Sequence, residues 1–175
     1  MLRRIRSDER GVAAVEFALI APIMILLYCG LAELSIAMMA ERRAAHAASV
    51  VGDLVAQSGQ MSTTDLSDIY KVANSIMYPF PTATLKLRVT SVTADVNAAA
   101  KVSWSQANGM TAFGKNTTVA GFPAGLLVAG DSVIQSDVQY TFTSPLRYVL
   151  PNPMPFSNTY ILKPRNGGAV ACATC

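Results

Sequence analysis

Residues 10–33 read RGVAAVEFALIAPIMILLYCGLAE. Between Glu16 and Glu33 lie sixteen residues, Phe17 to Ala32, without a charge. With VAAV before them and LSIAMMA after them, the run reaches the ~20 residues that a membrane-crossing helix needs. The spacing predicts a transmembrane segment over about residues 17–39. Pro22 and Gly30 do not oppose this, since membrane helices tolerate both, although Pro22 removes the hydrogen bond to the Ala18 carbonyl and predicts a kink. Glu16 is the residue that needs a reason. An ionisable group costs ~2.5 to 3.5 kcal/mol at the bilayer centre on insertion scales and less toward the interface.

Upstream, the leader from Met1 to Gly11 holds Arg3, Arg4, Arg6 and Arg10 against Asp8 and Glu9. This basic segment is expected to stay in the cytoplasm, leaving everything after about residue 40 outside. Downstream, the helical pattern continues past the membrane. Ala44, Ala47, Ala48, Val51, Leu54 and Val55 recur at spacings of three and four, opposite a polar stripe of Arg42, His46, Ser49, Asp53 and Gln57. One helix is therefore expected over residues 12–58, roughly 70 Å long at 1.5 Å per residue, ending at Ser58-Gly59.

The remainder, residues 59–175, reads as an extracytoplasmic α+β domain. A second helix is expected from Thr64 to Met77, with Thr63 or Thr64 as its cap, Asp65 in the first turn, and Leu66, Ile69, Ala73, Ile76 and Met77 as its apolar face. Beyond Pro79 and Pro81 the period changes to two. Leu85, Leu87 and Val89 alternate with polar residues, and the phase then slips near Ser91 to Val92, Ala94 and Val96, which predicts a bulge or bend. Val102 with Trp104, and Ile134, Val138, Tyr140 and Phe142 opposite Gln135, Asp137, Gln139 and Thr141, mark further strands. This alternation predicts one buried face and an antiparallel sheet. The prolines of PLRYVLPNPMPF forbid a central strand, so residues 158–163 are expected to add an edge strand. The tail NGGAVACATC reads as mobile.

Composition narrows the chemistry. The chain has 175 residues, of which 51% are hydrophobic and 14% charged, and its net charge is +3. Two of those three charges belong to the leader, so no basic surface remains for nucleic acid. The single histidine, His46, lies on a polar helix stripe with Arg42 and Arg43 and reads as a solvated helix residue, and no phosphate loop or helical histidine pair occurs. Asp65 and Asp68 are explained by the helix dipole. No catalytic residue, cofactor or metal site is expected, since zinc wants four ligands and only one histidine accompanies three cysteines. Cys172 and Cys175 have the spacing of a redox pair but open no helix, which leaves a terminal disulfide or two free thiols. LLYC resembles a lipobox, but Tyr28 is too large for the position before the cysteine.

Two readings of the leader remain. An ordinary signal peptide would be cut after Gly30-Leu31-Ala32, giving a secreted or single-pass anchored binding domain. A prepilin-type leader would be cut after Gly11, retaining the helix. The second uses Glu16 and the apolar face that continues to Val55, whereas the first has no need of either. Glycine at the cut gives a peptidase close access to the backbone. The new amine would then be that of Val12, with Glu16 one turn away, where its carboxylate can neutralise that amine or the amine of a staggered neighbour. The plainer alternative is a Glu16 that complements the helix N-terminus.

The segment as a whole resembles the type IV pilin group, and more narrowly the TadE-type minor pseudopilins of the tight-adherence, or Flp, pilus. Gly11, VAAV, the Glu16-Phe17 pair, Pro22 and the Glu33 after CGLA carry the resemblance. VQYTFTSPL and YILKPR are loosely similar to later segments of these proteins. The resemblance implies processing by a prepilin peptidase, retention in the inner membrane as a single pass with a periplasmic domain, and no enzymatic activity. It also implies pilus assembly beside other pilins and pseudopilins, either from the membrane or within a surface filament that serves adhesion. Head-to-tail contacts of this kind, when they do not close, build filaments.

Overall fold

The computed structural model describes residues 10–119, 122 and 126–175. Residues 1–9 of the expected leader lie outside them. The elements, in chain order, are helix α1 (Arg10–Gln57), β1 (Gln60–Met61), α2 (Thr63–Ile76), β2 (Lys86–Ala94), β3 (Ala100–Asn108), β4 (Ser132–Phe142), β5 (Met154–Leu162) and β6 (Ala171–Cys172). The fold is α+β, with a long apolar N-terminal helix, a short helix and an antiparallel four-stranded sheet of order β3-β2-β4-β5. By contacts the chain divides into two units. One comprises α1 up to Met38 with the segment Thr143–Pro153, and the other comprises Met39–Phe142 with Met154–Cys175.

In the second unit, α1 buries Ala40, Ala44, Ala47, Ala48, Val51, Val55 and Ala56. These small side chains allow a close approach to the sheet, and Gly52 marks its limit. A Cβ there would stand 2.6 Å from Leu162 Cδ1 on β5 and 3.1 Å from Ser136 Cβ on β4. His46 and Arg42 are exposed on the opposite stripe. Asp53 accepts from Arg165 Nη2 at 2.5 Å, and the Arg165 N–H donates to the Ala56 carbonyl at 2.8 Å.

Helix α2 is capped by Ser62, one residue earlier than Thr63, the nearer of the two expected caps. Ser62 Oγ accepts from the Asp65 N–H at 3.2 Å and Asp65 Oδ2 accepts from the Ser62 N–H at 2.9 Å, a reciprocal capping box. Asp65 was thus the informative first-turn residue, but for its side chain as much as for its charge. Leu66, Ala73 and Met77 are buried as the pattern predicts, together with Tyr70, whose hydroxyl donates to the Gln106 carbonyl at 2.9 Å. Burial pushes the Tyr70 hydroxyl up to about 12.

The phase slip near Ser91 is a register shift between Ser91 and Val92 in the pairing with β3. The expected edge strand begins earlier, at Met154, and carries Pro155 where an edge position tolerates a missing donor. Two expectations are corrected. The central strands are covered on both faces, and two of the expected polar positions of β4, Gln135 and Asp137, are buried, while Gln139 stays exposed. Asp137 pairs with Arg88 at 2.8 Å, accepts from Thr159 Oγ1 at 2.7 Å, and accepts from Gln135 Nε2 at 3.0 Å. Arg88 in turn lies 3.6 Å from the centre of the Phe113 ring. Alternation therefore marks a second face that closes around an ion pair instead of facing water, because Asp137 and Gln135 find partners there. On that same face Val92, Ala94, Ala100, Val102 and Val133 pack with Val119 and Leu127.

The tail is the other correction. Instead of hanging free, β6 runs parallel to β1, with Gln60 opposite Ala171 and Met61 opposite Cys172. Val170 is buried, and its carbonyl accepts from Trp104 Nε1 at 2.7 Å. A glycine- and alanine-rich sequence reads as mobile because it offers little apolar surface of its own, yet here one valine and its carbonyl carry the attachment. At the loop ends, the Ala99 N–H, Lys101 and the Asn97 N–H hold the Asp95 carboxyl below its ordinary range, and the Val128 N–H and Lys163 do the same for Asp131.

Candidate functional site

The first unit is dominated by the open part of α1. From Gly11 onward its large side chains face outward: Val12, Val15, Phe17 (72% exposed), Leu19, Ile20, Ile23, Ile25, Leu26 and Leu27. The helix is unbroken through Pro22. Gly11 to Gly30 spans about 29 Å at 1.5 Å per residue, which equals the thickness of a bilayer's hydrocarbon core. Burying so much exposed aliphatic surface requires an apolar medium, and this single helix fits a membrane anchor.

The residues singled out in the sequence lie along that surface. Gly11 stands in open space, where an added Cβ would meet nothing within 4 Å. Val12, Glu16 and Phe17 are all exposed, and Val12 and Glu16 are separated by one turn. Cys172 and Cys175 meet in a disulfide with Cα atoms 5.5 Å apart, while Cys29 is a half-buried free thiol on α1.

The most elaborated site in this unit is one that sequence reasoning left without a role. Glu33, which marks the end of the uncharged run, is fully buried. Its two carboxylate oxygens accept three successive backbone N–H groups, from Tyr148 at 2.8 Å, Val149 at 3.1 Å and Leu150 at 2.8 Å. Arg147, just before them, has φ 56°, a left-handed conformation that turns consecutive N–H groups toward a common point. Ser144 Oγ accepts from the Arg147 N–H at 3.3 Å and steadies the turn. One turn earlier on α1, Gly30 makes room for Val149, since a Cβ at Gly30 would lie 3.0 Å from Val149 Cγ2. A carboxylate in such apolar surroundings is sustained only by charge-assisted hydrogen bonds of this kind. The signal in the sequence was Glu33 itself, an acid in an apolar helix that calls for a partner. The partners, being backbone groups, had no signature.

The comparisons with known proteins bear on the same stretch. Residues 11–52 match the TadE-like protein family. The match begins at Gly11, contains Glu16, Phe17, Pro22 and Glu33, and stops at Gly52, so it covers α1 and not the sheet. No curated protein and no solved structure matches the chain. Over this segment the chain is similar to the TadE-like family, which is consistent with a protein of the tight-adherence pilus system. Among the described residues, no group of three His, Cys, Asp or Glu side chains is placed to hold a metal ion.

Proposed function

We propose that this chain is a minor pseudopilin that takes part in assembling a tight-adherence, Flp-type pilus, and that it works as a structural subunit without enzymatic activity. The observation that carries the reading is the TadE-like match over residues 11–52, on a helix whose apolar surface is unpartnered around Glu16. In this reading a prepilin peptidase cuts after Gly11, where the glycine leaves the backbone unobstructed. The mature chain stays in the inner membrane, with its N-terminus on the cytoplasmic side and the sheet domain in the periplasm. The amine of Val12 then sits one turn from Glu16, and the carboxylate pairs with it or with the amine of an adjoining pilin.

The mature N-terminus tests the processing step. Intact mass should show loss of residues 1–11, whereas a chain beginning at Glu33 would mark an ordinary signal peptide and a secreted binding domain. Assembly is tested separately with Glu16→Gln in one strain background. The variant should insert and be cut like the parent, because access depends on Gly11 and the leader, while surface pili fall. Normal piliation would reduce Glu16 to a helix-end charge, and loss of cleavage would move its role to processing.

A further inference from the structure

The Ser144–Pro151 segment, SPLRYVLP, connects β4 to β5 and presents Leu146, Tyr148 and Val149 to the outside. Three apolar side chains at the tip of a proline-flanked connection are unusual for a water-facing loop, where polar turn residues are the rule. Their position gives them a medium. The segment is fastened to α1 at Glu33 by three hydrogen bonds and touches it at Gly30. Gly30 lies about 29 Å along the helix from Gly11, so a span placed from Gly11, rather than over the residues 17–39 expected from the sequence, ends beside this loop. The exposed apolar surface of α1 continues to the level of the loop, through Leu27, Tyr28, Leu31 and Leu34, and Arg147 is the one charge in the loop. Tyr28 and Tyr148 are both exposed and occupy the level at which aromatic rings gather at membrane interfaces. Arg147, also exposed, adds a cation suited to lipid phosphate.

We propose that the Ser144–Pro151 segment is a second membrane contact, with Leu146, Tyr148 and Val149 seated in the outer interfacial layer of the phospholipid bilayer beside α1. The Glu33 carboxylate sets the depth. It occupies the backbone donors that would otherwise have to be left unpaired in a poorly hydrated layer, and this is the condition for placing irregular backbone there. The occupant is lipid rather than a protein partner because the apolar surface is continuous with the span and has the same height limit. The inference rests on α1 being a membrane span and is independent of the role in a pilus.

The test uses the full chain reconstituted in phosphatidylcholine and phosphatidylglycerol vesicles, with bromine on the acyl chains either near the glycerol or near the methyl end. Tyr148→Trp reports on the loop, Ile20→Trp reports on the middle of α1, and the unsubstituted chain supplies the background of Trp104. Ile20→Trp should be quenched mainly by the deep bromines. Tyr148→Trp should lose most of its emission to the shallow ones and little to the deep ones, and adding Glu33→Gln should weaken that quenching. A quenched helix reporter with an unquenched loop reporter overturns the proposal and leaves the loop to water or to a neighbouring subunit. An unquenched helix reporter overturns the span and the proposal with it. Quenching of Tyr148→Trp that is indifferent to Glu33→Gln overturns the carboxylate's part in setting depth.

Discussion

The two parts of α1 are both apolar, yet they are made of different residues. From Val12 to Leu34 the large exposed side chains are leucine, isoleucine, valine, phenylalanine, methionine and tyrosine, and from Ala37 to Ala56 the buried stripe is alanine with two valines and Gly52. Hydrocarbon accepts bulky side chains without needing a matched shape, so the open part gains by being large. A helix on a sheet must bring two backbones close, so the covered part gains by being small. Hydrophobicity says that a helix face avoids water. Side-chain size says what it meets.

The sharpest way to break this comparison is to enlarge the smallest residue of the covered part. Gly52→Val should lower the stability of the sheet domain by about 1–3 kcal/mol through overpacking, although valine is the better helix former by a few tenths of a kcal/mol. The strain falls on Ser136 Cβ, which stays with its strand, more than on the end of Leu162, which can swing aside. Denaturant unfolding in detergent, followed by the emission of buried Trp104, measures it. An unchanged midpoint would mean that α1 does not rely on close approach.

Next is the acid that closes the open part. Glu33→Gln removes the charge from three hydrogen bonds, and trypsin should then cut after the exposed Arg147 roughly tenfold faster, with Glu16→Gln leaving that rate unchanged. Equal rates for both variants would show that the loop is held without the carboxylate.

Acid gives a smaller effect and confines it to the sheet domain. Asp95 and Asp131 have folded-state carboxyls below their ordinary range, so the unfolded chain takes up protons first as pH falls. Their contribution is present above the ordinary carboxylate range and lost as pH drops through the folded values. The unfolding midpoint should fall between about pH 5 and pH 3, and less so in the Asp95→Asn, Asp131→Asn double variant. An identical acid loss in that variant would remove both groups from the account. The smallest effect is expected from Leu26→Ala, which should move the Trp104 midpoint by no more than ~0.5 kcal/mol. A larger shift would mean that the open part is packed against protein.

Much of this organisation was legible in the residues themselves. The alanine and valine spacing located the covered stripe of α1, the phase slip located the shift after Ser91, and the prolines placed β5 at an edge. Local patterns carry such features because each depends on neighbours within a few positions. What could not be read depended on partners distant in sequence. Asp137 looked like a solvent-facing strand residue until Arg88 and Thr159 closed around it. Tyr70 joined the core only because the Gln106 carbonyl accepts its hydroxyl. The tail was fixed by Trp104, and Glu33 by backbone donors more than a hundred positions away.

The pairing of β1 with β6 has a mechanical side. The chain leaves α1 at Ser58 and enters β1 at once, and its last residues return to lie alongside, with the Ala171 N–H donating to the Gly59 carbonyl at 3.2 Å. A pull along the helix therefore reaches the first and last segments of the sheet domain together. The domain behaves as a buckled strap rather than a spool: tension from the N-terminal side cannot peel residues off in sequence until the clasp with the C-terminal end has given way.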